Sequence, residues 1–182
     1  VQVKLPNDCA VAPQVALISN LNWASVSIPQ VPVPFTVNKH AYLLEVDEFN
    51  NPDGDVGAAR IIDIANDRKP FVVSNIRLEV HVPANRKGTT QQTDPGAPES
   101  PYGGYTAHYC SIPRRDNPGL AACSFIGSGL RIFDIRDPKH PREVGYFNRP
   151  TSAGSHAMSA PAWDVAHDQV AVTEIAGRVR DK

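Results

Sequence analysis

The sequence predicts an all-β fold, because three features favour short strands joined by turns. The 182 residues include 17 prolines and 12 glycines, which interrupt helices and mark turns. Short runs rich in β-branched and aromatic residues recur along the chain, and no segment has a convincing helical period. Segments of the chain also match one another at fixed offsets, which indicates a repeated structural unit.

The clearest internal match relates residues 59–70 to residues 130–141, at an offset of 71. In both copies a strand-like run containing Arg-Ile and Asp-Ile leads into a polar turn closed by proline. A second match relates residues 108–111 to residues 156–159 at an offset of 48. Removing the 24 mostly polar residues 82–105 reduces the first offset to 47, within one residue of the second, so the unit has about 47 or 48 residues. A strand-only unit of this length predicts a β-propeller-like array of four-stranded antiparallel blades.

The repeat divides the chain into five parts. Residues 1–33 hold partial or irregular strands, 34–81 form the first blade unit, 82–105 are an inserted loop, 106–150 form the second unit and 151–182 form a truncated third unit. Turn residues bound the predicted strands, which lie at 34–37, 41–46, 58–64, 71–80, 106–112, 120–125, 129–135, 143–147, 156–162 and 169–175. The inserted loop is either a lid or contact surface, or a mobile insertion.

Two of the three cysteines, Cys110 and Cys123, flank an Asp-Asn-Pro-Gly turn that lies midway between them. In a hairpin centred on that turn they face each other with Cα atoms about 4.5–5.5 Å apart, within reach of a disulfide. Free buried thiols and a metal or catalytic thiol are the alternatives. A disulfide would indicate a secreted, periplasmic or cell-surface protein, and it leaves Cys9 without a predicted partner.

Residues 129–145 resemble the LVIVD repeat, which reads roughly G-L-R-I-x-D-I-x-D-P-x-x-P-x-x-V-G. Residues 58–73 resemble a weaker copy, in which Asn66-Asp67 stands where Asp-Pro is expected, and residues 107–125 also resemble bacterial proteins of this type. The resemblance implies a β-propeller in an exported or surface-associated bacterial protein. It implies no settled activity, because one fold hosts many functions.

The number of units predicts an incomplete ring. Propellers close with about four to eight blades, and 182 residues hold fewer than four units of this length. An open ring leaves strand edges bare. We therefore expect a fragment of a larger propeller; completion by other blades or subunits, and a truncated gene product, are the alternatives.

Three histidines are candidate ligands for a divalent metal. His108 and His156 occupy one position of the repeat, on strands that would line a propeller channel, and His81 ends the first unit. Neutral imidazoles that converge on a channel can bind a metal, which would act as a Lewis acid or activate water. In the alternative interpretation each histidine fills a polar slot and hydrogen-bonds a backbone carbonyl.

Charged residues suggest two further features. Glu45 and Asp47 alternate on one strand face at the start of an acidic loop, 45–55, which is a solvated hairpin loop, a weak calcium loop or the site of a carboxylate pair for acid–base work. Arginines and aspartates recur in the two copies of the repeat and suggest Arg–Asp pairs that tie one strand or turn to the next blade. These residues are Arg60, Asp63, Arg131, Asp134 and Asp137.

Composition limits the function classes. The net charge is −1 and charged residues make up 20% of the chain, so no basic face for nucleic acid is predicted. No apolar run reaches the length of about 18 residues that a membrane span needs. We expect an exported binding or scaffold module of unknown ligand. A metal-dependent enzyme with a histidine-lined channel is the alternative function.

Overall fold

The computed structural model describes residues 2–4, 14–23, 28–48, 56–86, 105–148, 155–157, 159–171 and 174–176. Its strands are β1 (Gln2–Lys4), β2 (Gln14–Ala16), β3 (Ile28–Val37), β4 (His40–Glu48), β5 (Ala59–Asp63), β6 (Phe71–Ile76), β7 (Ala107–Ser111), β8 (Leu120–Phe125), β9 (Gly129–Asp134), β10 (Arg142–Phe147), β11 (Ser155–Ala157), β12 (Ala162–Asp164), β13 (Gln169–Ala171) and β14 (Glu174–Ala176). Helix in these ranges is limited to one turn, α1 (Pro83–Arg86), and to 3₁₀ turns at Glu79–His81 and Val165–His167. The predicted β fold with four-stranded antiparallel sheets is confirmed.

The first sheet is an antiparallel meander in the order β3-β4-β5-β6. β3 and β4 are joined by a two-residue turn, Asn38 and Lys39, whose φ angles are 51° and 66°. Two residues with positive φ give a turn whose twist matches that of the flanking strands, and asparagine tolerates this backbone. β3 begins at Ile28, earlier than the predicted start of this unit at residue 34.

The second sheet repeats the first, in the order β7-β8-β9-β10. Cys110 and Cys123 are paired in register across β7 and β8 and form the predicted disulfide. The turn between them contains Asn117 and Gly119, with φ of 44° and 72°. Asparagine and glycine are the residues that adopt this left-handed backbone most readily, so the Asp-Asn-Pro-Gly sequence sets the register that opposes the two sulfur atoms.

The described strands of the third unit form two antiparallel pairs: β11 pairs with β14, and β12 and β13 form a hairpin. The chain reverses through the 3₁₀ turn at Val165–His167 and through Asp168, whose φ is 52°. A hairpin likewise opens the first unit, as β3 and β4, and the second, as β7 and β8.

The two sheets pack face to face around one apolar core. Leu44, Val46 and Ile61 of the first sheet and Cys123 and Phe125 of the second are buried in the same cluster. β4 packs against β7, and β11 packs against β8 and β9. Burying one large apolar side chain contributes about 1.5–3 kcal/mol, so this contact between units is a main source of stability.

Hydrogen bonds also fasten each unit to the next. The amide of Thr36, near the end of β3, donates to the carbonyl of Arg115 at 2.8 Å. The hydroxyl of Ser111, at the end of β7, donates to the carbonyl of Pro161 at 2.6 Å and accepts the indole N–H of Trp163 at 3.1 Å. The end of the first strand in each of the first two units is thereby held against the following unit.

The turns after β5 and β9 have the same structure, at the offset of 71 found in the sequence. Asp63 and Asp134 each accept a hydrogen bond from the backbone amide two residues further on, and so do Asn66 and Asp137. These are Asx turns, in which a short polar side chain takes the place of a backbone carbonyl. The repeated aspartates therefore shape the turns.

The repeat arginines have partners other than the predicted aspartates. Residues three apart on a strand lie on opposite faces of the sheet, which separates Arg60 from Asp63. Arg60 binds two acidic residues of β4, and Arg131 binds Glu143 of β10 with 2.9 Å between nitrogen and oxygen. Asp134 is paired with Arg136 of its own turn, and this bond holds the pKa of the Asp134 carboxyl well below its usual value.

The described strands do not close into a ring. Within the same ranges, no helix is long and apolar enough to cross a membrane.

Candidate functional site

The face of the first sheet that points away from the second sheet carries an apolar row followed by a charged row. β4 and β5 pair Leu43 with Ile62 and, two positions further along, Glu45 with Arg60. Side chains alternate between faces along a strand, so Glu45 lies opposite the core residue Leu44. We call this surface the outward face.

Glu45, Asp47 and Arg60 form a buried ionic triad on the outward face. Arg60 Nη1 donates to Glu45 Oε2 at 2.9 Å and also to the Asp47 carboxylate. The three residues are 5%, 0% and 3% exposed. The Arg60 guanidinium also lies against the ring of Trp23, with 4.1 Å from Cζ to the ring centre. One guanidinium thus serves two carboxyl groups where water is almost excluded.

Two oxygens of the triad are left unsatisfied. Glu45 Oε1 and Asp47 Oδ1 are buried and have no hydrogen-bond partner in the described part of the chain. Burial raises the pKa of Glu45 to about 8, the charge of Asp47 adds to the rise, and Arg60 opposes it. The Glu45 carboxyl group therefore keeps its proton at neutral pH.

An open apolar groove of about 500 Å³ adjoins the triad. It lies between the segment 17–23 and the outward face, and its apolar lining is Ile18, Leu21, Trp23, Pro34, Leu43, Ile62, Ile64 and Pro70. The Ser19 hydroxyl holds the segment by donating to the carbonyl of Asp67 at 2.5 Å. Trp23 borders both the groove and the triad. The groove has the size and the apolar character of small-molecule sites.

The equivalent place in the second sheet holds a disulfide instead of an ionic triad. Its register pairs Cys123 with Arg131, where the first sheet pairs Glu45 with Arg60. The Arg131 guanidinium bonds to Glu143 and lies over Tyr146, 5.0 Å from the ring centre. The two arginines therefore share a backbone position and differ in their surroundings, so the triad is a feature of the first unit.

His108 links the two sheets on the other face of β4. Its Nε2 lies 3.6 Å from Glu48 Oε1, and the same carboxylate accepts a hydrogen bond from the amide group of Gln30. The Glu48 residue is 7% exposed. The contact is an ion pair when the imidazole is protonated, and it joins β7 of the second sheet to β4 of the first.

His81 is held by the backbone on both sides of its ring. Nε2 donates to the carbonyl of Tyr105 at 2.8 Å, and Nδ1 accepts the amide N–H of Leu78 at 3.3 Å. The ring is buried and packs against Phe125, with 5.3 Å between ring centres. A metal would have to displace one of these hydrogen bonds, so the contacts favour a structural role that ties the start of the inserted loop to its end.

The predicted metal site of His81, His108 and His156 stays a prediction. The side chain of His156 lies outside the described residues. In the ranges that the structure describes, no group of three or more His, Cys, Asp or Glu is placed to hold a metal. Cys9, the inserted loop from 87 to 104 and the acidic loop from 49 to 55 also lie outside the described residues.

The sequence identified Glu45 and Asp47 as a pair but missed two of their neighbours, Arg60 and Trp23. Arg60 stands in the apolar run Ala58–Ile62, and an arginine buried in a strand needs an acidic partner. That signal could have pointed to the triad. Nothing in the sequence places Trp23, because its position depends on how the segment 17–23 crosses the sheet.

A comparison of the chain with known protein families and with curated proteins finds no match in either.

Proposed function

We propose that this chain is a segment of a β-propeller of the LVIVD-repeat type, which is exported and acts as a binding or scaffold module. The observation that carries the proposal is the repeated contact between successive units: β7 packs against β4, and β11 packs against β8 one unit later. Twisted sheets that stack by a repeated step can continue radially into a propeller. The matching Asx turns after β5 and β9 support the same repeat.

The disulfide supports the proposed location. Cys110 and Cys123 are buried in the core between the sheets, so the bond is part of the folded unit. Disulfides of this kind form in oxidising compartments and are rare in the cytosol. Other blades or subunits complete the ring in this proposal, and they cover the faces at the ends of the stack.

The test is electron microscopy of particles isolated from the source cells through an affinity tag on the chain. We expect ring-shaped particles with a central channel and about four to eight blades. Light scattering should give a mass that is a multiple of 19.7 kDa if copies of the chain complete the ring. The variant Trp163→Ala, which removes a hydrogen bond to Ser111 between the second and third units, should yield fewer rings. Elongated stacks without a channel would contradict the proposal.

A further inference from the structure

We infer that one edge of the two packed sheets binds an acidic polysaccharide, a linear chain of sugars that carries repeated carboxylate or sulfate groups. This edge, the basic rim, consists of residues 38–39, 63–70, 112–119 and 134–142, which form or flank the turns that follow β3, β5, β7 and β9. The inference gives the proposed binding module a ligand class, and it rests on the proposed function for the exported location alone.

The four turns of the basic rim lie side by side. Each sheet is an antiparallel meander, so the turns after its first and third strands lie at the same edge. Hydrogen bonds join the edges of the two sheets: the amide of Asn38 donates to Asn117 Oδ1 at 2.9 Å, and the hydroxyl of Ser74 donates to the carbonyl of Pro138 at 2.6 Å. Neighbouring blades of a propeller stack on the flat faces of the sheets, so they leave this edge open to a ligand.

The basic rim concentrates positive charge, although the chain as a whole carries a net charge of −1. The rim contains eight lysines and arginines against five aspartates, which gives a net charge of +3 with neutral histidines, and all eight cations are exposed. Within the described residues, ion pairs hold two of the eight, Arg136 and Arg142, which share Asp134. The other six cations are Lys39, Arg68, Lys69, Arg114, Arg115 and Lys139.

The aspartates of the rim leave these six cations exposed, because most of the aspartates shape the turns. Asp63 and Asp137 each accept a backbone amide two residues further on and also contact a histidine. Asp116 accepts the hydroxyl of Thr36 at 2.6 Å. Asp134 is 6% exposed. The exposed cations therefore take their counter-ions from solution, and a polyanion that binds across the rim releases those ions.

The residue types of the rim favour a sugar chain over other polyanions. Five of the eight cations are arginines, whose paired N–H donors match a carboxylate or a sulfate. Proteins that bind single-stranded nucleic acids stack successive bases on several aromatic rings. The rim contains no phenylalanine, tyrosine or tryptophan, and one exposed ring, Phe71, lies beside it. Segments that bind a membrane surface insert large apolar side chains, and no residue of the rim exposes one.

The test uses galacturonate oligomers, in which every sugar carries a carboxylate, and the methyl esters of the same oligomers, which have the same backbone without the charge. Calorimetric titration of the full chain at about 50 mM and about 200 mM salt measures the affinity for each. At the lower salt concentration we expect the acid to bind at least tenfold more tightly than the ester, because only the acid replaces counter-ions at the rim. The affinity for the acid should fall about tenfold or more at the higher salt concentration.

The triple variant Lys69→Gln, Arg115→Gln and Lys139→Gln removes one exposed charge from each of three turns. It should unfold at the same urea concentration as the unchanged protein, bind the acid at least tenfold more weakly and depend less on salt. The control Arg77→Gln removes an exposed charge that follows β6, at the opposite edge of the first sheet, and should bind as the unchanged protein does.

Equal binding of the acid and the ester, absence of binding, or equal affinities of the triple variant and the control would overturn the inference. Tighter binding of single-stranded DNA of equal charge, or of vesicles that contain phosphatidylglycerol, would overturn the assignment to a polysaccharide. Ring-shaped particles without galacturonate binding would refute this inference alone, and galacturonate binding without rings would refute only the propeller.

Discussion

Replacing Glu45 by glutamine should remove a large part of the dependence of stability on pH between pH 5 and 8. The folded protein holds the pKa of Glu45 at about 8, above its usual value of 4.5. Between these values the unfolded chain loses the proton and the folded chain keeps it. Folding therefore binds a proton in this window. The stability that Glu45 contributes is fully present below pH 4.5 and is lost as the pH rises towards 8.

The size of the effect follows from the same two pKa values. At 1.36 kcal/mol per pH unit, a change from 4.5 to about 8 corresponds to a loss of at most about 5 kcal/mol. Glutamine has the shape of the protonated acid and does not titrate. Glu45→Gln should therefore leave stability nearly unchanged at pH 5, and it should make the protein at least about 2 kcal/mol more stable than the unchanged chain at pH 8.

Urea unfolding followed by circular dichroism at pH 5, 6.5 and 8 measures this difference. Histidines also titrate in the window, but they are common to both proteins and cancel in the comparison. The matched control is Glu143→Gln, which removes an acid of similar chemistry from a partly exposed pair. A difference between Glu45→Gln and the unchanged protein that stays constant within about 0.5 kcal/mol from pH 5 to 8 would refute the reasoning.

Three further outcomes are expected. Replacing Cys110 and Cys123 together by alanine should destabilise the protein by about 3 kcal/mol, because the disulfide closes a short loop; equal urea midpoints would contradict this. His81→Ala should destabilise the protein by about 2–4 kcal/mol, because it removes the hydrogen bonds that the ring makes to the amide of Leu78 and the carbonyl of Tyr105. The metal content measured by elemental analysis should not change. Loss of a stoichiometric metal would support the metal-site hypothesis instead. Asp63→Ala should lower the free energy of unfolding by about 1 kcal/mol, because it removes the Asx turn. Asp63→Asn keeps the acceptor oxygen and should lower it less. An equal loss of stability in the two variants would contradict the turn assignment.

Local sequence determined the strands and the turns of this protein. The offset of 71 relates two turns that share the same Asx hydrogen bonds, because a short polar side chain at a given position acts on an amide only two residues away. The turn between Cys110 and Cys123 fixed the register of its hairpin in the same way, which made a disulfide the favoured prediction over free thiols or a metal site, and the structure contains it. These features depend on short-range geometry, which residue type and spacing encode.

The tertiary structure decided which charged residues meet. The repeat suggested Arg–Asp pairs that tie one strand or turn to the next blade, but the register of β5 against β4 places Arg60 beside Glu45 and Asp47 of its own sheet. Trp23 reaches this triad from a separate segment, 37 residues before Arg60 in sequence. Burial then sets the protonation of Glu45. Strand register, the path of a distant segment and exclusion of water are properties of the packed sheets, so no pattern of neighbouring residues could specify them.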